Sequence, residues 1–192
     1  GEKRKLLEVV VEADDTHAAV YKTPSHAEEI KTLMLQCGLW PMLRQRPFGT
    51  VAHPDDKPKA IFVSAFSSVP LAPDDDFVMQ GREEFFKKGV EALAQLTDGT
   101  VHVCCKPGQR LTKTLDCFVP RNDLKPKLEI HYVKGAHPAG NIGTQIAHID
   151  PINKGEVVWT MNLQDVAVLG ELVSTGVYRP ERVIAVVGPS IK

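Results

Sequence analysis

The chain has 192 residues, 43% of them apolar, with 23 basic and 24 acidic side chains and a formal charge of −1. This is enough for one good core, or one core with fragments of neighbours. The balanced charge argues against a nucleic-acid partner held through phosphate contacts, and no apolar run approaches the ~20 residues of a membrane-spanning helix.

In chain order, Leu6, Leu7, Val9, Val10 and Val11 predict a strand almost at the start, followed by a polar link to Thr23. Ser25 with Glu28 three positions later reads as a capping box opening a helix. Ile30, Leu33, Met34 and Cys37 share one face of that helix, and Gly38 stops it. A bulky loop, Trp40, Pro41, Leu43, Arg44, Arg46 and Phe48, leads to Ala60-Ile61-Phe62-Val63, a continuous apolar run suited to a parallel strand buried on both faces. Asp74, Asp75 and Asp76 open the longest predicted helix, whose apolar positions Phe77, Phe85, Val90, Leu93 and Leu96 keep helical phase to Asp98-Gly99. A strand over residues 101–105, an irregular Pro/Gly/Lys stretch and a strand over residues 128–132 follow. A shorter helix is expected over residues 141–148 and a brief strand over 157–159. Asn162 or Gln164 starts a helix that ends at Gly176, and residues 182–187 form the last predicted strand. Helices alternating with short apolar strands predict a three-layer α/β sandwich around a mostly parallel sheet. Both ends read as cut from a longer chain.

Few local strings specify chemistry. There is no G-x-G-x-x-G, Walker loop or G-x-S-x-G elbow, and the seven histidines lack a zinc-type spacing. Cys37, Cys104, Cys105 and Cys117 read as reduced thiols, with the adjacent pair on opposite faces of a strand. Gly135-Ala136-His137-Pro138-Ala139-Gly140-Asn141 joins a strand to a helix, at the carboxyl end where ligands bind in open α/β sheets. There His137 suits a quinone or carbonyl oxygen and the helix start suits an anion. Alternatively these residues only shape the turn, with His137 bonded to backbone. Arg44 and Arg46 suit an acidic group or phosphate, or ion pairs with residues 74–76 or with a partner subunit. Trp40 and Phe48 are expected to pack rather than to stack on a flavin or quinone ring.

Taken together, several strings resemble the A subunit of the bacterial sodium-translocating NADH:quinone oxidoreductase. They are Gly38-Leu39-Trp40 with Arg44-x-Arg46-Pro47-Phe48, Pro70-Leu71-Ala72, and His137-Pro138-Ala139-Gly140 with Gly143-Thr144. Val158-Trp159-x-x-Asn162-x-Gln164-Asp165-Val166 and Gly188-Pro189 complete the set. The resemblance implies that residues 1–13 end a lipoyl-like β domain, and that residues 24–192 form a Rossmann-like α/β domain leading into a β-grasp domain. More distantly the chain is similar to the FMN-binding subunit of complex I and the C subunit of Rnf-type complexes. Their G-x-G-G-A-x-F-P loop is here replaced by Trp40, Pro41 and Leu43, and their N-x-x-E-x-E-P string by Ser64, Ser67 and Val69 before Pro70. Ser67 also departs from the Asp usual in the closer family.

These departures imply a docking module with a degenerate FMN and NADH site, inactive alone, within an NADH:ubiquinone reductase that transports sodium. The resemblance further implies a peripheral place on the cytoplasmic side of the bacterial inner membrane. The partners it implies are the other subunits, chiefly the membrane-embedded one that holds quinone and flavin. FAD, FMN, riboflavin and Fe–S centres are expected elsewhere in the complex, with no catalytic residue and no metal here. The alternative is a ubiquinone site to which His137, Gly140, Trp40, Arg44 and Phe48 contribute.

Overall fold

The computed structural model describes residues 6–10, 12, 19–116 and 128–188. Its centre is a six-stranded, mostly parallel sheet of order β2-β1-β6-β3-β4-β5. The strands are β1 (Arg44–Arg46), β2 (Thr50–Val51), β3 (Ala60–Ala65), β4 (Thr100–Cys105), β5 (Leu128–Tyr132) and β6 (Val158–Asn162). The helices are α1 (Ala27–Cys37), α2 (Asp75–Val78), α3 (Glu83–Leu93), α4 (Arg110–Asp116), α5 (Ile142–Ile149) and α6 (Leu163–Thr175). Strands β3, β4, β5 and β6 run parallel, while β1 joins both β2 and β6 antiparallel. The α/β sandwich expected from the alternation of elements is therefore present.

Pleating divides the apolar residues of each strand between two cores. Ile61, Val63, Val103, Cys105, Trp159 and Met161 face the larger one, against Ile30, Met34, Phe86, Leu93, Leu111 and Leu169 from the helices. Ala60, Phe62, Cys104 and Val158 face a smaller core closed by Ile146 of α5. Cys104 and Cys105 thus lie in different cores, as their adjacency required. Burial pushes both thiols up to about 12, so they act as small apolar groups. Helices α3 and α6 approach until backbone meets backbone. A Cβ on Gly170 would lie 2.6 Å from the Gly89 amide nitrogen, and one on Gly89 would lie 2.8 Å from the Val166 carbonyl carbon and nearer still to its oxygen.

Several expected boundaries differ. Helix α1 is capped at His26, not Ser25, and Glu29, not Glu28, accepts a bond from the Ser25 amide at 2.7 Å. Gly38 ends it in the left-handed conformation, φ 80°, as expected. The long acidic helix is two. Asp74 caps α2 by accepting from the Phe77 amide, and Gly81 at φ 78° breaks the axis before α3. In consequence Phe77 faces solvent, not the core. The Pro/Gly/Lys stretch includes a helix, α4, whose Leu111 and Leu115 are buried.

No strand forms over residues 182–187. The sheet edge beside β6 is already taken by β1, and Gln164 instead bonds both the amide and the carbonyl of Val183. Residues 6–10 likewise form no strand, and are exposed. Val11, Cys117 and residues 14–18 of the polar link lie outside the described residues.

Candidate functional site

The parallel strands step from β3 through β4 to β5, and the chain then returns to place β6 on the other side of β3. Open α/β sheets bind ligands at such a reversal, in the crevice at the carboxyl ends of the two strands. A cavity of about 750 Å³ lies at this place. Ser64 from the end of β3, and Thr160 and Asn162 from the end of β6, form part of its wall. The turn into α5 adds Gly140, Asn141, Gly143 and Thr144, and the edge strand adds Arg44 and Arg46. Met42, Ile142 and Met161 supply apolar surface.

The electrostatics favour an anionic or electron-rich group. Asn141 precedes α5 without a side-chain cap, so the first amides of this helix lack partners within it and carry the positive end of its dipole. Arg44 and Arg46 have no carboxylate within ion-pair distance among the described residues, and no bonded partner is found for the buried Nε of Arg46. The expected pairing with Asp74, Asp75 and Asp76 does not occur: those residues lie by α2, where Asp76 accepts from the Arg110 amide instead. Asp165 is buried below the cavity, ion-paired with Arg182, and bonded to Asn162 through both its carboxylate and its amide. Burial raises its pKa, while Arg182 and Asn162 oppose the rise. The pair is internally compensated, so the two edge arginines and the helix start set the sign of the site.

The five expected site residues do not form one constellation. Gly140 and Arg44 line the cavity. Gly140 is there by close packing: Ser68 Oγ accepts its amide at 2.8 Å, and a Cβ would clash with the Ser68 backbone. His137 is exposed outside the lining, with Nδ1 3.3 Å from Ser68 Oγ, a side-chain rather than a backbone partner. Trp40 is buried, 3% exposed, away from the cavity. Its Nε1 donates to the Ala52 carbonyl at 2.8 Å, and its ring meets Trp159 edge-on at 5.5 Å. Phe48 does not pack: it is 89% exposed beside the β1–β2 turn.

The bulky segment is consequently not a loop. A 3-10 turn, Trp40–Met42, plugs the core, and β1 zips onto β6, where Trp159 Nε1 donates to Gln45 Oε1 at 3.0 Å. Asn162, Asp165 and Arg182 join the site without having been expected there. Asn162-x-x-Asp165 is a helix-start signature, but nothing in the sequence indicates that Arg182 returns to it.

The fold and crevice define an α/β domain of the kind that holds ligands at a sheet reversal. Residues 25–178 match the family described as the NqrA second alpha/beta domain, and the chain belongs to that family. It is 34% identical over 198 residues to the A subunit of the Na(+)-translocating NADH-quinone reductase of Yersinia pseudotuberculosis serotype O:1b, and 36% identical to its namesake from Neisseria meningitidis serogroup B. All of the chain is matched in both cases, against 42% of each relative, so it spans less than half their length. Among solved structures, an NAD+-reducing [NiFe]-hydrogenase in the H2-reduced state matches 77% of this chain and 31% of its own. The TM-score is 0.54 and the identity 16%, a likeness of fold alone.

Proposed function

We propose that this domain serves within the A subunit of a sodium-translocating NADH:quinone reductase, as a docking module whose ancestral flavin and dinucleotide site is closed. The observation that carries this reading is the plug at residues 38–48. A phosphate cradle needs glycines whose amides can approach an anion, but here Trp40 and Leu43 are buried and tied into the sheet edge. The relatives matched along the whole chain support this assignment. In this reading the domain sits peripherally on the cytoplasmic side, and electron transfer runs through cofactors held elsewhere.

A second reading keeps the crevice as part of a ubiquinone site. It rests on the cavity at the reversal, where the first amides of α5, Arg44 and Arg46 face apolar surface from Met42, Ile142 and Met161. A quinone oxygen would take the amides or a guanidinium, and the ring the methionines. His137 and Trp40 lie outside this crevice, so Arg44 and Gly140 are the residues the two readings dispute.

The full-length protein, purified and denatured to release any bound chromophore, should show no stoichiometric flavin absorbance. Stoichiometric flavin lost in an Arg44→Ala variant would overturn the closed-site reading. A soluble quinone titrated into the same protein separates the two: saturable binding weakened by Arg46→Gln supports the quinone site, and its absence leaves the docking module.

A further inference from the structure

On the α5 face of the sheet, away from the crevice, three potential ligands converge. His102 of β4 stands opposite Glu129 of β5, and His131 follows Glu129 by two residues, so pleating turns all three side chains to one face. His102 Nδ1 lies 2.9 Å from His131 Nε2 and 3.5 Å from Glu129 Oε2. His131 Nε2 lies 3.7 Å from the same carboxylate oxygen. His102 is buried, 5% exposed, with its ring against Phe62 at 4.5 Å, which fixes its orientation. The side chains of Glu129 and His131 remain 32% and 26% exposed, leaving a path for an ion and for water.

The two Glu129 distances, 3.5 and 3.7 Å, exceed the spacing of an octahedral triad and suit a four-coordinate ion, while the imidazole pair at 2.9 Å would open slightly to receive it. The three distances average about 3.4 Å, and the point equidistant from the three atoms is about 2.0 Å from each. Zinc bonds imidazole nitrogen and carboxylate oxygen at about 2.0–2.2 Å, so tetrahedral ligands stand roughly 3.3–3.6 Å apart. A facial octahedral triad with bonds of about 2.1 Å would need its donors roughly 3.0 Å apart. Calcium and magnesium prefer oxygen and are poorly served by two imidazoles.

From this triangle we propose that His102, Glu129 and His131 form a tetrahedral site for a zinc-class divalent metal, three protein ligands with water in the fourth position. The ion would join the edge strand β5 to β4 through side chains, in addition to their backbone ladder, and would replace the proton that the two imidazoles otherwise share. The site is independent of the crevice, since it lies on other strands and uses none of its residues.

The test uses the full-length protein stripped with a chelator and then titrated with Zn2+ and Co2+. The expected result is one equivalent of zinc bound by wild type that is missing from His131→Ala and Glu129→Gln. Co2+ should give the intense visible bands of a four-coordinate ion, lost in both variants. Zinc should raise the melting temperature of wild type only. Each substitution removes a partner of the buried His102, so the metal-free variants should melt somewhat below metal-free wild type; unchanged far-UV circular dichroism certifies their fold, and each zinc shift is read against the same variant without metal. Wild type and His131→Ala binding equal amounts of zinc with equal affinity would overturn the site. So would weak, six-coordinate Co2+ bands, or no stoichiometric metal at all.

Discussion

Gly170 is where one methyl group tests the architecture most sharply. Gly to Ala inside a helix ordinarily stabilises by about 0.8–1.0 kcal/mol, because alanine loses less backbone freedom on folding. At residue 170 the added Cβ would stand 2.6 Å from the Gly89 amide nitrogen and closer still to the Phe85 carbonyl oxygen. Ordinary contact begins near 3.4 Å, so clearing the Gly89 nitrogen alone needs about 0.8 Å of separation between α3 and α6, and clearing the Phe85 oxygen needs roughly twice that. The obstructing atoms are backbone, and no rotamer change relieves them. Overpacking of this kind costs about 1–3 kcal/mol, here at the upper end because Phe86, Val90, Leu169 and Leu172 lose close contact together. Net of the helix gain, Gly170→Ala should destabilise by about 2 kcal/mol, a fall of roughly 4–8 °C in melting temperature for a domain of this size. Gly143, in the first turn of α5, is the control: nothing lies within 4 Å of its Cβ position, and Gly143→Ala should be neutral or gain up to about 1 kcal/mol. Thermal melts followed by circular dichroism read both. The reasoning fails if the two variants shift in the same direction.

The Asp75 carboxyl is pushed up to about 6, first by burial and then by Asp74 and Asp76, against a stabilising bond from the Ser67 amide. Between pH ~4 and ~6 the folded state holds a proton that the unfolded state has released, so this group's contribution falls as pH rises through that window. Asp75 is only partly buried, so after solvent screening the effect is on the order of 1 kcal/mol. Asp75→Asn should raise stability at pH 7 and remove part of the pH 4–6 slope in urea titrations; an unchanged slope would refute the assignment. Trp40→Phe removes the donor to the Ala52 carbonyl and should cost roughly 2 kcal/mol, while Trp40→Ala should cost about 3–5 kcal/mol, measured by denaturant unfolding. A Trp40→Ala cost near zero would mean that the plug is not part of the core.

The buried parallel strands and most helix ends follow from local chemistry. Ala60-Ile61-Phe62-Val63 could only be buried on both faces, and Gly38, Gly176 and Asn162 mark ends set by their own conformations and side chains. The displaced expectations depended on neighbours distant in the chain. Residues 182–187 carry strand-forming residues but find the edge beside β6 occupied by β1, and the acidic helix breaks because Gly81 turns left-handed.

The candidate site divides in the same way. Arg44 and Gly140 were legible as candidates, one from a basic pair in the bulky segment and the other from a strand-to-helix turn. Their meeting across the end of β6, with Asp165 neutralising Arg182, required the return of the chain beside β3. Trp40 was legible as bulk replacing glycine, and as a packing residue; only the sheet showed that the bulk is a plug bonded to Ala52. Glu129-x-His131 is an ordinary alternation along a strand, and becomes a candidate ligand set only when strand pairing brings His102 beside it. Apolar runs, forced turns and the missing glycine cradle can all be read directly from the chain, since each is a property of a few adjacent residues. Which charges meet, which edges are free and which helices touch depend on the folded arrangement, because strand order and helix packing bring together residues far apart in sequence.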